Sequence, residues 1–287
     1  MAEEFSHFVI TRFNVRFARS QVARPSSEWL DRRLDLFSRT AVPSLNSQTS
    51  KRFRWLVFFQ DDVSDDFRQR VEGLASRAHF EPVWINEFFD GELVSRCIAP
   101  LTDSDFIITS RVDNDDALSR DYIQAVQSRF ARQDLLYLNF VRGIQIVPGG
   151  QVYRYDANSN PFVSLIERIP QGGVPATVFH MKHTQIRKHA DILQIIDAPM
   201  WAQVIHDGNM MNGIRGPVTR KAVVAENFSI DVDLGSDASF LRKIKSAFWE
   251  LPLFWIRNTW FAKEWLRTRV DLARGTHVKP RTSSTLT

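Results

Sequence analysis

Phe106-Ile107-Ile108-Thr109-Ser110-Arg111-Val112-Asp113-Asn114-Asp115-Asp116 is an apolar run that ends abruptly in acid. The part up to Val112, rich in β-branched and aromatic side chains, reads as a buried strand. The acidic residues cannot continue it, because adjacent carboxylates repel one another and seek water or a ligand. Ligands in open α/β sheets gather at the carboxyl ends of strands, so this run lies where a site belongs. Asp113 and Asp115, at positions i and i+2, can converge on one hard divalent cation such as Mg2+ or Mn2+, which also accepts phosphate oxygens. A cation so held can neutralise charge building on a departing diphosphate. The plainer alternative is a turn and helix start, for which Asp is well suited.

Upstream, strand and helix signals alternate, the order expected of a sheet covered by helices. Phe8-Val9-Ile10 opens as a strand and ends at Thr11-Arg12-Phe13-Asn14. Leu30, Leu34, Phe37 and Ala41 share one helical face, and Pro43 is expected to stop that helix. Phe53 to Phe59 reads as a second buried strand whose exit carries Asp61 and Asp62. Ser64 is placed to cap a helix with Asp65 and Asp66 in its first turn and Phe67, Val71, Leu74 and Ala78 facing inward. Glu81 to Ile85 is a short strand, and Val94, Cys97, Ile98 and Leu101 line the next helix, where Cys97 packs as a small hydrophobe. Downstream of the acidic run, Ser119 is expected to cap a helix with Ile123, Val126 and Phe130 inward, before a strand from Leu135 to Phe140. Beyond residue 140 the alternation fails. Gly143, Pro148-Gly149-Gly150, Asn158-Ser159-Asn160-Pro161 and Gly172-Gly173 punctuate short apolar runs and predict hairpins and loops that shape a pocket.

Composition sets the outer limits. With 287 residues, 44% apolar and 24% charged, the chain can bury a large core, and one domain with a tail is the expectation. A single cysteine excludes an intramolecular disulfide and fits a reducing compartment, so a cytoplasmic protein is expected. Met1-Ala2-Glu3-Glu4 lacks the basic and apolar regions of a signal peptide. Nor does any uninterrupted apolar run reach the roughly 18 to 20 residues that span a bilayer. A formal charge of +4, with the basic residues scattered except near the C-terminus, argues against a nucleic-acid partner.

The stretch from Phe8 to Ile123 resembles family-two-like glycosyltransferases of the GT-A fold, and residues 7 to 218 resemble the bacterial rhamnosyltransferase family. The likeness is carried by His7-Phe8-Val9-Ile10-Thr11-Arg12-Phe13-Asn14, by Ser44-Leu45-Asn46-Ser47-Gln48-Thr49 after Pro43, by Phe53-Arg54-Trp55-Leu56-Val57-Phe58-Phe59, and by Arg111-Val112-Asp113-Asn114-Asp115-Asp116-Ala117. It implies an α/β, Rossmann-type nucleotide-sugar-binding domain with a mixed central sheet, in which Asp113-Asn114-Asp115 is the DxD motif that holds the cation and the donor. Residues 1–235 would form the transferase domain, with 1–140 on the nucleotide-sugar side and 141–235 on the acceptor side. A basic, Trp-rich helical extension (236–272) and a disordered tail (273–287) would follow. The resemblance also points to Asp61 or Asp62 as the contact to base or ribose, to Arg96 or Arg111 as the contact to base or diphosphate, and to Thr11 and Arg12 where a nucleotide would lie.

Asp197-Ala198-Pro199-Met200-Trp201-Ala202-Gln203-Val204-Ile205-His206-Asp207-Gly208-Asn209 looks like a later motif of the same family, with Trp201, Ile205 and Gly208 at near-helical spacing. His206 is expected close to the acidic loop, as a third metal ligand or a phosphate contact. An inverting transferase needs a carboxylate to take the acceptor hydroxyl's proton, for which Asp197 comes first by position, with Asp207 and Glu167 behind it. His180 and His183 form an i, i+3 pair suited to lining the acceptor pocket or binding metal, against the plainer reading of structural histidines.

Residues 242 to 269 hold seven basic and two acidic side chains together with Trp249, Trp255, Trp260 and Trp265, a pattern suited to an anionic membrane surface. The competing reading packs the Trp face onto the domain and leaves Lys and Arg in water. The expected activity is transfer of a sugar, rhamnose among the candidates, from a nucleotide-diphosphate sugar to a saccharide or lipid-linked glycan in surface polysaccharide synthesis at the inner membrane face. Two other readings compete: a phosphatase of the haloacid dehalogenase type, whose motif normally continues with Thr or Val where Asp116 and Ala117 stand, and a non-catalytic sugar- or cation-binding module.

Overall fold

Val9, Trp55, Val57, Phe59 and Ile108 enter one apolar cluster, while Phe8, Ile10, Leu56, Phe58 and Ile107 enter another. Successive residues of a strand point to opposite faces, so these strands are apolar throughout because the sheet is covered on both sides. The computed structural model describes residues 4–18, 25–206, 213–250, 252–253, 256, 259–274 and 277–278. Its strands are β1 (Ser6–Arg12), β2 (Arg54–Gln60), β3 (Glu81–Ile85), β4 (Phe106–Arg111), β5 (Ala117–Leu118), β6 (Leu135–Phe140), β7 (Arg142–Ile146), β8 (Val152–Asp156), β9 (Ser164–Arg168), β10 (Ile192–Ile195), β11 (Trp201–Val204) and β12 (His277–Val278). Among the described residues the main sheet runs β12-β10-β6-β9-β4-β1-β2-β3 and a smaller one runs β5-β11-β7-β8. β1 is parallel to β2 and β4, and β9 is antiparallel to both β4 and β6. The result is the mixed α/β sheet that the sequence led us to expect.

Helix α1 (Ser27–Arg39) starts where Ser26 Oγ accepts the Trp29 N–H, and Leu30, Leu34 and Phe37 face inward. It ends at Thr40 rather than at Pro43, which lies instead in the first turn of α2 (Ala41–Asn46). Proline is tolerated there because first-turn N–H groups have no helical partner. Helix α3 (Asp65–Ala78) is capped by Ser64 and carries Asp65 and Asp66 in its first turn, as read from the sequence. Helix α4 (Gly91–Ile98) is capped by Asp90. Helix α5 (Tyr122–Gln127) begins later than Ser119: the Ser119 carbonyl accepts the Tyr122 N–H, so the residue forms the turn before the helix instead of capping it.

The second half does form hairpins. β7 and β8 pair antiparallel in the smaller sheet around a turn in which Gly149 has φ +66, whereas β9 and β10 return to the main sheet, and Phe162, Ile166, Ile195 and Trp201 join the apolar cluster of the N-terminal strands. Trp201 to Val204 is a strand, not the helix its spacing allowed. All its residues are buried between β5 and β7, a two-sided burial that a one-sided helical stripe does not describe. Short helices α6 (His183–His189), α7 (Ala222–Asn227) and α8 (Phe240–Lys245) follow, then a π-turn (Ser246–Glu250) and the helix Thr259–Arg274. That last helix runs into the segment expected to be a disordered tail, and His277–Val278 pairs with β10; residues 279–287 lie outside the described set.

The junction of the two sheets is tight. Trp201 stacks on Phe162 with centroids 5.0 Å apart, donates its indole N–H to the Phe140 carbonyl at 2.7 Å, and leaves no room for a Cβ at Gly143, which would lie 2.2 Å from the ring. Gly143→Ala is therefore expected to lower stability by about 1–3 kcal/mol through overpacking. Gly73→Ala, within α3 where a Cβ meets nothing within 4 Å, is expected to be neutral or to raise stability by up to about 1 kcal/mol. Thermal melts of the two variants check the contrast.

Candidate functional site

The acidic run leaves β4 beside the exit of β1, and hydrogen bonds fix it along its length. Asn114 Nδ2 donates to the carbonyls of Arg12 and Phe13 at 3.1 and 2.9 Å. Ser44 Oγ both accepts from Leu118 N at 2.7 Å and donates to Leu118 O at 3.0 Å. Gln48 reaches the Ser119 carbonyl and the Ile123 N–H. The Ser44 to Thr49 segment singled out in the sequence is thus the clamp on the chain just beyond the acidic loop. Asp116 is buried, and its Oδ1 accepts the Val204 N–H at 3.1 Å. Burial, reinforced by Asp115 and Asp113, raises its pKa well above the carboxylate range.

The other two carboxylates face basic groups. Asp113 Oδ1 lies 2.7 Å from Arg12 and 3.5 Å from Arg111. Burial works against its charge, but these two guanidinium groups outweigh it and hold its carboxyl well below the usual range. Asp115 Oδ2 lies 2.7 Å from Arg33 of α1 and 3.1 Å from His206 Nε2. His206 is therefore where the sequence reading expected it, beside the loop. Arg111 is pulled down to about 10 by burial and by Arg12. Beneath it the Phe179 ring lies 5.2 Å from the Arg111 guanidinium and 5.7 Å from that of Arg12. His183 completes this side; burial, then Arg111, lowers its pKa to about 4, so its ring is neutral near pH 7.

Three buried nitrogens in this cluster have no hydrogen-bond partner among the described residues: Arg12 Nε, Arg111 Nε and His183 Nδ1. Buried polar groups in folded proteins are nearly always paired, and charged donors left bare are the costliest exceptions. Two guanidinium groups with spare N–H donors suit an oxyanion, phosphate above all.

The remaining candidates divide. Asp62 lies at the exit of β2 and pairs with Arg16 at 3.2 Å, and Asp61 is its neighbour. Thr11 does not line a ligand space: it is fully buried and its Oγ1 accepts the Trp55 indole N–H at 2.9 Å. Asn114 is spent on the β1 backbone and so positions the loop. Arg96 is exposed and pairs with Glu87 at 2.8 Å and Glu92 at 3.8 Å. Asp197 is exposed after β10, three strands from β4 in the sheet order, and its own carboxylate accepts the Ala198 N–H. Glu167 faces Ile107 at the opposite end of β4 from Asp113 and accepts the Ala176 and Thr177 N–H groups, so it anchors a loop remote from the acidic run. Asp207 lies outside the described residues. Sequence reading missed Arg33 and Phe179, because an arginine on the polar flank of a helix and a phenylalanine in a loop carry no distinguishing pattern.

For a divalent cation the donor types fit: two carboxylates on one loop with an imidazole beside them are a hard, oxygen-rich set. Arg12 and Arg33 now lie on those oxygens, and among the described residues no three acidic, His or Cys side chains are gathered around one point. A cation would enter by displacing these arginines.

The profile of the family described as "Putative rhamnosyl transferase" matches residues 5–217, and the chain belongs to that family. No curated protein sequence matches this chain. Among solved structures it is similar to TarS 1-349 of S. aureus in complex with UDP-GlcNAc, at 13% identity and TM-score 0.37, over 71% of this chain and 60% of that one. It is also similar to HddC from Yersinia pseudotuberculosis complexed with GMP-PN, at 10% identity and TM-score 0.30, over 56% and 76%. The chain thus spans less than two thirds of the TarS fragment.

The buried histidines give a pH signature. His7, inside the sheet with Nε2 2.9 Å from Ser110 Oγ, is lowered by burial to about 3, and His183 to about 4. Because the folded values lie below the unfolded one near 6.5, this stability is complete above pH 6.5 and is lost as pH falls below it. The contribution of these two histidines to the denaturation free energy is expected to fall by roughly 2 kcal/mol per pH unit between pH 6.5 and 5, and a His7→Gln, His183→Gln double variant to lose that part of the pH dependence relative to the parent. Urea unfolding at stepped pH checks it.

Proposed function

We propose that this member of the rhamnosyl transferase family binds a nucleoside-diphosphate sugar at the exits of β1 and β4 in a GT-A-type site and transfers the sugar to a saccharide or lipid-linked glycan. The observation that carries the reading is the trio of buried nitrogens on Arg12, Arg111 and His183 around Asp113, without partners among the described residues. A diphosphate satisfies all three and replaces Asp113 as the counter-charge of the two arginines. Phe179 holds both guanidinium groups from beneath, so their direction toward the anion is set before it arrives. Asp62, with Arg16, is placed for the nucleoside.

Asp113 and Asp115 would hold Mg2+ or Mn2+, with His206 beside them. Such an ion supplies charge neutralisation for the leaving diphosphate. Arg33, which donates to Asp115 at 2.7 Å and lies 3.3 Å from His206 Nε2, is the group that would have to yield. For an inverting reaction the acceptor hydroxyl needs a carboxylate base. Asp207, next in the chain after the His206 that touches Asp115, is now preferred to the distant Asp197. Rhamnose as the sugar rests on the family description alone.

Mass-spectrometric detection of donor hydrolysis across a panel of nucleotide sugars, with manganese present, tests the assignment. Asp113→Ala and Asp115→Ala are expected to lower turnover about 100-fold or more without loss of fold. Arg111→Lys, which cannot offer a planar pair of donors, is expected to weaken donor binding about 10- to 100-fold. Full turnover in both Ala variants would remove the acidic loop from the reaction, and turnover unaffected by chelator would leave the diphosphate charge to the arginines alone. Release of phosphate from simple phosphate esters would favour the phosphatase, and binding without turnover the non-catalytic module. For the base, Asp207→Asn is expected to abolish transfer while Asp197→Asn leaves most of it; the reverse order would restore Asp197.

A further inference from the structure

The C-terminal helical segment is built inside out for a helix packed on its own domain. Phe240, Leu241, Phe248, Trp249 and Ile256 are 76, 76, 78, 65 and 71% exposed. None of the residues of α8 is buried. Contacts back to the domain come from polar groups: Ser246 Oγ accepts the Val218 N–H, and Arg269 reaches Asp156 at the end of β8. The reading in which the apolar face covers the domain while the charges stay in water therefore fails at these positions. The side chains of Trp255, Trp260 and Trp265 lie outside the described residues.

Exposed apolar clusters of this kind mark a partner surface. The charge on the segment says which kind. Seven basic against two acidic side chains between Arg242 and Arg269 give a net charge of +5, with Arg242, Lys243 and Lys245 in α8 itself. A second copy of the chain would bring an equal positive charge against it and be repelled. An anionic surface that is apolar just below its charged layer fits both features, because aromatic and aliphatic side chains enter the headgroup boundary while lysines stay among the phosphates. Among the described residues no helix is long and apolar enough to cross a membrane, so the contact is with the surface.

We infer that residues 240–250 dock the protein on an anionic bilayer surface, with Phe240, Leu241, Phe248 and Trp249 entering the interface and Lys243 and Lys245 binding headgroup phosphates. The inference does not depend on the donor reading, since docking is measured with neither donor nor acceptor present.

Co-sedimentation of the full chain with phosphatidylcholine vesicles, with and without phosphatidylglycerol, tests it. Pelleting is expected on the anionic vesicles at low salt, with weakening in high salt. Phe248→Ser combined with Trp249→Ser, and separately Lys243→Glu combined with Lys245→Glu, are each expected to reduce the bound fraction about tenfold or more while melting temperature and donor hydrolysis stay at the parent level. No pelleting on anionic vesicles at low salt, or equal binding by the paired variants, overturns the inference. So does concentration-dependent dimerisation that masks the patch in light scattering.

Discussion

Everything at this site follows from placing three carboxylates on one short loop at the end of a buried strand. Such a loop does not persist by itself, since like charges repel and burial penalises each of them. The chain resolves the problem differently at each position. Asp116 goes inward, takes a backbone N–H and has its pKa raised; Asp113 is matched by Arg12 and Arg111; Asp115 is matched by Arg33 and His206. The arginines come from β1, β4 and α1, so the electrostatic balance of the loop requires that sheet and helix already be assembled around it. The loop is in turn a reporter of the fold.

That balance bears on function. A site whose carboxylates are satisfied by arginines is also one in which arginines are held in store for an anion. Were a diphosphate and a cation to bind together, Arg12 and Arg111 would exchange carboxylate for phosphate, and Asp113 and Asp115 would be the residues to hold the cation in place of arginine. Asn114, Ser44 and Gln48 take no part in this exchange. They hold the loop's backbone while its side chains change partners, which explains why a segment so far from the acidic run in sequence belongs to the pattern.

The fold was legible where one physical signal dominated. Strands such as Arg54–Gln60 are apolar on both faces, and α3 announced itself by Ser64 and its acidic first turn. The acidic run and the nearness of His206 were likewise readable, because charge at the end of an apolar strand has few explanations. What failed was local inference where tertiary burial decides. Trp201 to Val204 has a spacing compatible with a helix, yet a full complement of strand neighbours buries it on both sides. Thr11 looked like a polar residue at a strand exit, but the Trp55 indole claims its hydroxyl. Arg33 was invisible, since nothing along α1 tells which exposed arginine faces Asp115. The same limit applied to Glu167, whose carboxylate is occupied by two backbone N–H groups that only the folded chain brings near.

The central claim is that Arg12 and Arg111 release Asp113 to receive a diphosphate. A crystal structure of the protein with a nucleoside diphosphate and Mn2+ tests it most directly. The account predicts phosphate oxygens within hydrogen-bond distance of both guanidinium groups, and the metal on Asp113 and Asp115 with Arg33 withdrawn. A nucleotide bound elsewhere, with Arg12 still on Asp113 and Arg33 still on Asp115, would contradict it.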